Sequence, residues 1–383
     1  MIDHAAIDAL VAWMIDGAPP IPRAPVIIDS ICRQLLEAGV AFDRLALFLP
    51  TLSPRSSGRR YKWTLRLGVE IGEGEVGLFA TQDYLANPVP EVLRDRVTIR
   101  RRLIDPETPD DYLILGELRA KAYTDYLIQP LPFVTGGSAA MSWSTRAAGG
   151  FSNEVLDALE RIRGPVARLT ESLVMRTNAT NLLSAYVGRN SGEQVLSGKV
   201  HRGDGEEIQA AILFTDLIGY TELSNRRSGS EIVGILNDAF DRLVPAVEAE
   251  GGEILKFLGD GFFAIFPYHD EATLPAAVRS AQVAVLSGEE ALAGTNVGET
   301  ARFRSAIHAG QFHYGNIGGA DRLDFTAIGS SVNYASRLMA AASELSIERA
   351  ASMDIAAHLS PPASLAAEAR LKGFDGLQKI YTY

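Results

Sequence analysis

Two aspartates stand where strands end. Asp216 closes the apolar run AAILFTD, and Asp260 sits at the tip of Gly259-Asp260-Gly261, between EILKFL (253–258) and FFAIF (262–266). If those strands are neighbours, the paired carboxylates can hold one or two divalent cations. Taken singly, each is equally well explained as a turn aspartate that satisfies backbone N–H groups. Lys256 shares strand parity with Ile254 and Leu258 and so projects from an otherwise apolar face, although a lysine whose stem merely covers apolar surface is the commoner case. It lies four residues from Asp260, about 13 Å along an extended strand, too far for the two to grip one small group. In DFTAIGSSVNYASRLMAAASE (324–344), Ser330 or Ser331 caps a helix on which Asn333 and Arg337, four apart, share a face. An amide beside a guanidinium suits an anionic phosphorus centre. The same pair is about as common as plain surface decoration. His308 and His313, in a hairpin over 303–316, read as structural.

These residues need a scaffold, and the pattern supplies one. Gln209 to Thr215 reads as a central strand buried on both faces. Ser230 caps a helix with Ile232, Val233, Leu236, Phe240 and Leu243 on one face, ended by Gly251-Gly252. The order strand, helix, hairpin, helix, hairpin, helix and short terminal strand gives an α+β, ferredoxin-like antiparallel sheet with helices on one side. A polar stretch between residues 190 and 208 marks the junction before it. Three zones result: an α+β domain of sensor size over 1–150, a helical linker over 151–204 and a C-terminal α+β domain over 205–383. Phe151 to Val187 has helical periodicity that Gly164-Pro165 should bend or interrupt. That helix could pair with its copy in a dimer or pack on its own domain.

Composition narrows the function. Of 383 residues, 36 are Lys or Arg and 47 Asp or Glu, a net charge of −11, which argues against a nucleic-acid surface. A nucleotide whose charge a metal masks stays compatible. No apolar run is long enough to span a membrane, the first twenty residues do not read as an export signal, and the single cysteine, Cys32, fits a reducing cytoplasm. Gly72, Gly74 and Gly77 match G-x-G-x-x-G, but Glu73 and Glu75 would repel phosphate, so the stretch reads as a strand-to-strand turn. His4 and Cys32 are the only histidine and cysteine before residue 190, which disfavours haem, a covalent bilin or a metal cluster there.

FTDLIGYT (214–221), KFLGDGFFAIF (256–266), AIHAGQFHYGNIG (306–318) and FTAIGSSVNYASRL (325–338) together resemble the catalytic domain of class III nucleotidyl cyclases, over residues 205–383. The resemblance implies that Asp216 and Asp260 bind two divalent cations, Mg²⁺ or Mn²⁺, with the Leu217 carbonyl as a further ligand. It implies that Lys256 reads adenine. Thr326, three residues before Gly329, falls where many members carry aspartate and a subgroup, including the bicarbonate-responsive soluble cyclases, carries threonine. Asn333 would orient the ribose, Arg337 would stabilise the transition state, and Lys372 would bind the triphosphate, with Phe374 as the competing position. The implied reaction makes cyclic AMP and pyrophosphate from ATP in a homodimer. There the metal aspartates come from one chain and the base and transition-state residues from the other. A silent nucleotide-binding homologue, or a cyclase of altered base choice (GTP or a pyrimidine), are the alternatives. TDYLIQPLPF (124–133) and AAGGFSNEVLDALERI (147–162) resemble a GAF-type sensor, which implies either a small-molecule regulator or a dimerisation scaffold without ligand.

Overall fold

The computed structural model describes residues 1–19, 23–295, 301–319 and 322–383. Contacts divide the chain into two compact units, 1–185 and 186–383. In the first, helices α1 (His4–Ile15) and α2 (Ala24–Glu37) accompany an antiparallel sheet. Its strands are β1 (Arg44–Ser53), β2 (Ser56–Thr64), β3 (Gly68–Gly74), β4 (Ile99–Arg102), β5 (Asp125–Pro132) and β6 (Ser138–Thr145), in the order β3-β2-β1-β6-β5-β4. Short helices α3 (Gln82–Leu85), α4 (Val89–Asp95) and α5 (Leu113–Ala120) fall between the strands. Fully buried Trp63 and Trp143 pack around Phe42 at the centre of the larger core. Gly72 and Gly74 belong to the edge strand β3, and Gly77, at φ +91°, leads into a 3₁₀ turn at Leu78–Ala80. The segment therefore joins a strand to helices, where the glycine pattern predicts a strand-to-strand turn.

Gly164 and Pro165, expected to bend or interrupt the helix, do not interrupt it: α6 runs as one helix over Asn153–Val187. Packing explains this. Val155, Leu159, Ile162, Val166, Ala167 and Val174 are buried in the core of this unit on both sides of the proline. Glu171 accepts from the Val134 and Thr135 N–H groups. Tertiary burial outweighs the one helical hydrogen bond that proline removes. Fully buried Asp125 fixes the start of the helix by accepting from Arg100 Nη2 at 2.6 Å and from the Phe151 N–H at 3.0 Å.

The second unit begins with α7 (Arg189–Leu196), a short helix in a stretch whose sequence has no sustained periodicity. Contacts outside the helix hold it: the Asn190 N–H donates to Glu253 at 3.1 Å, and Ser191 Oγ hydrogen-bonds Tyr314 Oη. An eight-stranded sheet follows. It comprises β7 (Gly205–Leu217), β8 (Glu253–Phe257), β9 (Phe262–Pro267), β10 (Phe303–Gly318), β11 (Leu323–Ile328), β12 (Arg349–Ser352), β13 (Ser364–Ala369) and β14 (Gln378–Thr382). The order is β13-β14-β12-β10-β7-β9-β8, with β11 paired to β10. All pairs are antiparallel except β10 with β12. Helices α8 (Tyr220–Arg226), α9 (Gly229–Ala249), α10 (Leu274–Leu292) and α11 (Ser330–Glu344) complete the unit. Among the described residues no helix is long and apolar enough to cross a membrane.

Strand β7 is central and buried from Ala210 to Thr215. Ala211 and Leu213 face α9 and α10, whereas Ala210, Ile212 and Phe214 face α11. Both faces thus carry helices, a correction to the one-sided layering expected. Three further details differ from expectation. Ser228, not Ser230, caps α9, because Glu231 lies three residues on and closes a capping box; Val233 is 56% exposed and Ala239 takes its place in the core. Neither Ser330 nor Ser331 caps α11. Gly329 holds that position, where a Cβ would meet Phe312 at 2.9 Å, and Ser331 Oγ donates instead to the Gln311 carbonyl. His308 and His313 lie on one long strand, β10, and the hairpin partner is β11.

The turn between β8 and β9 presses on β7. A Cβ on Gly261 would lie 1.9 Å from the Thr215 carbonyl oxygen, whereas Gly259, at φ +70°, has open space around it. Gly261→Ala should therefore lower stability by at least about 2 kcal/mol, because backbone cannot yield as a side chain does. Gly259→Ala should cost only about 1 kcal/mol, through its left-handed φ alone. Denaturant unfolding of both variants checks this, and equal losses would mean that the approach to Thr215 is not tight.

Candidate functional site

Asp216 is the penultimate residue of β7, and Asp260 stands in the β8–β9 turn. Thr215 and Phe262 pair across β7 and β9, and Thr215 Oγ1 accepts from the Phe262 N–H at 3.1 Å. With Gly261 against Thr215, the two carboxyl groups come into hydrogen-bonding contact, and Asp260 also accepts from the Leu217 N–H. Burial, then the charge of Asp216, push the Asp260 carboxyl up to about 6, and the backbone N–H groups only partly oppose this. Two carboxylates this close repel each other, and a positive charge between them would relieve that repulsion. Hard oxygen donors of this kind fit Mg²⁺ or Mn²⁺. Among the described residues no cluster of three or more His, Cys, Asp or Glu forms. Backbone carbonyls, water or a bound phosphate must then complete any coordination shell, as is usual for Mg²⁺.

Lys256 departs from the parity expected of it. Leu255 is the extra residue of a β-bulge: Ile254 pairs with Ala264, and Lys256 pairs with the next residue back, Phe263. Lys256 therefore lies on the opposite face of the sheet from Ile254, the face that carries α11. There its Nζ meets Asp324 Oδ2 at 2.5 Å. Thr326 follows two residues later on the same face of β11, opposite Gly315.

Asn333 and Arg337 share the exposed face of α11, whose other face buries Ala335, Leu338, Met339 and Ala342. Neither hydrogen-bonds Asp216 or Asp260 within this chain. Lys372 is exposed beside buried Leu371, while Phe374, the competing position, is half-buried, with its ring 4.9 Å from that of Tyr334, and packs against the core. The chain thus brings the two aspartates together and brings Lys256 beside the Thr326 strand, and it leaves Asn333, Arg337 and Lys372 on exposed surface. Asp324 is the polar neighbour that spacing missed. It precedes the FTAIG motif, and its contact depends on a bulge that no residue type signals.

Residues 205–375 match the family model described as the adenylate and guanylate cyclase catalytic domain. Adenylate cyclase 1 of Rhizobium meliloti is 36% identical over 138 residues, 34% of this chain and 20% of that protein. An uncharacterized protein of Mycobacterium tuberculosis is 33% identical over 131 residues, 34% of this chain and 23% of its own length. The matched segments thus span about a quarter or less of these relatives. Among solved structures, the adenylyl cyclase CyaB from P. aeruginosa is 23% identical with a TM-score of 0.41, covering 46% of this chain and 94% of that one. The guanylyl cyclase Cya2 is 22% identical with a TM-score of 0.39, covering 46% and 92%.

His308 is a structural residue. It is 6% exposed, shares a 2.8 Å hydrogen bond between its Nδ1 and Ser352 Oγ, and stacks on Tyr334. Burial lowers its pKa to about 4, so the folded chain keeps the ring neutral while the unfolded chain protonates it first. Its contribution to stability is complete above about pH 6.5 and is lost as pH falls toward 4, a change of up to about 3 kcal/mol. His308→Gln should flatten unfolding free energy against pH in that window. An unchanged slope would remove His308 as the cause.

Proposed function

Since residues 205–375 form a class III cyclase catalytic domain, we propose that this chain is an adenylate cyclase that converts ATP to 3′,5′-cyclic AMP and pyrophosphate. The observation that carries this reading is the contact between Asp216 and Asp260, a pair of acidic groups whose proximity calls for cations. Divalent cations bound there, with the Leu217 carbonyl as a further ligand, would supply charge neutralisation for the triphosphate and a lowered pKa for the ribose 3′-hydroxyl. The chain's own side chains do the rest. Lys256 donates to adenine N1 and the Thr326 hydroxyl accepts from the exocyclic amine. Asn333 holds the ribose, so that its 3′-oxygen stands in line with the α-phosphorus. Arg337 meets charge growing on the α-phosphoryl oxygens, and Lys372 binds the triphosphate.

Adenine and guanine present donors and acceptors in reverse order at these edges, so a lysine donor beside a hydroxyl acceptor favours ATP. Thr326 is a weaker acceptor than the carboxylate many relatives carry, which supports GTP as a secondary substrate. The exposed positions of Asn333 and Arg337, away from the aspartates of their own chain, support a homodimer in which each site draws on both chains. We place the enzyme in the cytoplasm and assign regulation to the N-terminal residues 1–150, acting through 151–204. Contacts of α7 with Glu253 on β8 and Tyr314 on β10 support that route.

Purified chain with Mn²⁺ should form cyclic AMP from ATP faster than cyclic product from GTP, CTP or UTP, and Asp216→Ala should reduce turnover at least about a hundredfold. Mixing Asp216→Ala with Asn333→Ala chains should restore about a quarter of wild-type activity, since half of randomly paired dimers are mixed and each holds one intact site. No recovery at any ratio would contradict shared sites, and no cyclic product from any nucleotide would contradict the cyclase reading.

A further inference from the structure

The Lys256–Asp324 pair does little for the fold. Its side chains are 44% and 60% exposed, and an ion pair so open to water contributes from nothing to about 1 kcal/mol. Yet a β-bulge is spent on making it. In a regular strand Leu255 would pair with Phe263 and Lys256 with Phe262, which would put Lys256 on the face of Ile254, toward α9 and α10, away from Asp324. Bulges commonly re-aim a side chain near a functional site, and this one aims a lysine at a carboxylate two residues from Thr326.

We propose that Asp324 is a positioning and specificity-determining residue for the nucleotide base, acting by anchoring the Lys256 ammonium on the Thr326 face of β11. The proposal rests on the cyclase reading above. Lysine has a flexible four-carbon stem and three equivalent N–H donors. Left free, it could reach adenine N1 or swing to guanine O6 and so accept either base. Held by Asp324 through one N–H, it has two left, and these serve only the edge beside its fixed position. Asp324, Thr326 and Ile328 alternate with Phe325 and Ala327 along β11, and Phe325 is buried. This puts the anchor and the hydroxyl acceptor on one face, about 7 Å apart along the strand, a spacing compatible with one purine edge meeting both Lys256 and Thr326. A carboxylate just before FTAIG thereby strengthens the base discrimination that threonine alone supplies weakly.

The test compares the unsubstituted full chain with Asp324→Asn and Asp324→Glu, in Mn²⁺. It uses steady-state turnover of ATP and GTP and, separately, binding of fluorescent N-methylanthraniloyl derivatives of the two nucleotides. Asp324→Asn should lower the ATP-to-GTP ratio of kcat/KM about tenfold or more, the worth of a hydrogen bond to a charged group. The loss should fall mainly on the KM for ATP, with kcat within about threefold. Asp324→Glu should recover most of the preference, and adding Asp324→Asn to Lys256→Met should cause no further loss of it. A ratio unchanged in Asp324→Asn, or a fully additive double variant, would overturn the proposal. If the unsubstituted chain neither binds nor turns over either nucleotide, the cyclase reading falls, and this proposal with it.

Discussion

The close approach of Gly261 to the Thr215 carbonyl is the contact on which the site depends. It forces the β8–β9 turn onto the end of β7 and, with it, one carboxylate onto another. Like charges held this near destabilise the unliganded chain, so the fold must supply the difference elsewhere. It does so in β7, where six consecutive residues are buried between α9 and α10 on one side and α11 on the other. The sheet interior is thus the rigid support for an electrostatically unfavourable edge. Cations bound there would relieve such an edge, and the proposed metal affinity would then depend on the geometry of a single glycine.

The same logic resolves an apparent conflict of charge. A chain with a net charge of −11 is poorly suited to a polyanion, and its aspartate pair is worse still. Cations held by those carboxylates would reverse the local sign and make the end of β7 attractive to a triphosphate. The remaining cationic groups are spread out: Lys256 on β8, Arg337 on α11 and Lys372 after β13. In the proposed reading each serves a different part of one nucleotide.

Much of this was legible in the sequence because it is local. The apolar run before Asp216 and the Gly-Asp-Gly turn specify their strands and their exposed ends, and the i,i+4 spacing of Asn333 and Arg337 specifies a shared helix face. Non-local features were not legible. The bulge at Leu255 sits in an apolar run with no glycine to announce it, so the parity rule placed Lys256 on the wrong side of the sheet and hid Asp324. Pro165 reads as a helix breaker until the burial of Ile162 and Val166 is known. Ser230 looked like a cap because it precedes the apolar face, but only Ser228 has a glutamate three residues on. β10 is one 16-residue strand, where the sequence suggested a hairpin over 303–316.

The central claim is that Asp216 and Asp260 form one cation site that recruits the nucleotide. Isothermal titration of Mn²⁺ into the full chain, with and without a non-cyclisable ATP analogue lacking the 3′-hydroxyl, tests it most directly. The account predicts that the analogue tightens Mn²⁺ binding, and that Asp216→Asn or Asp260→Asn each weakens Mn²⁺ at least about tenfold and removes that enhancement. Mn²⁺ affinity unchanged in both variants, with the analogue still bound, would contradict it.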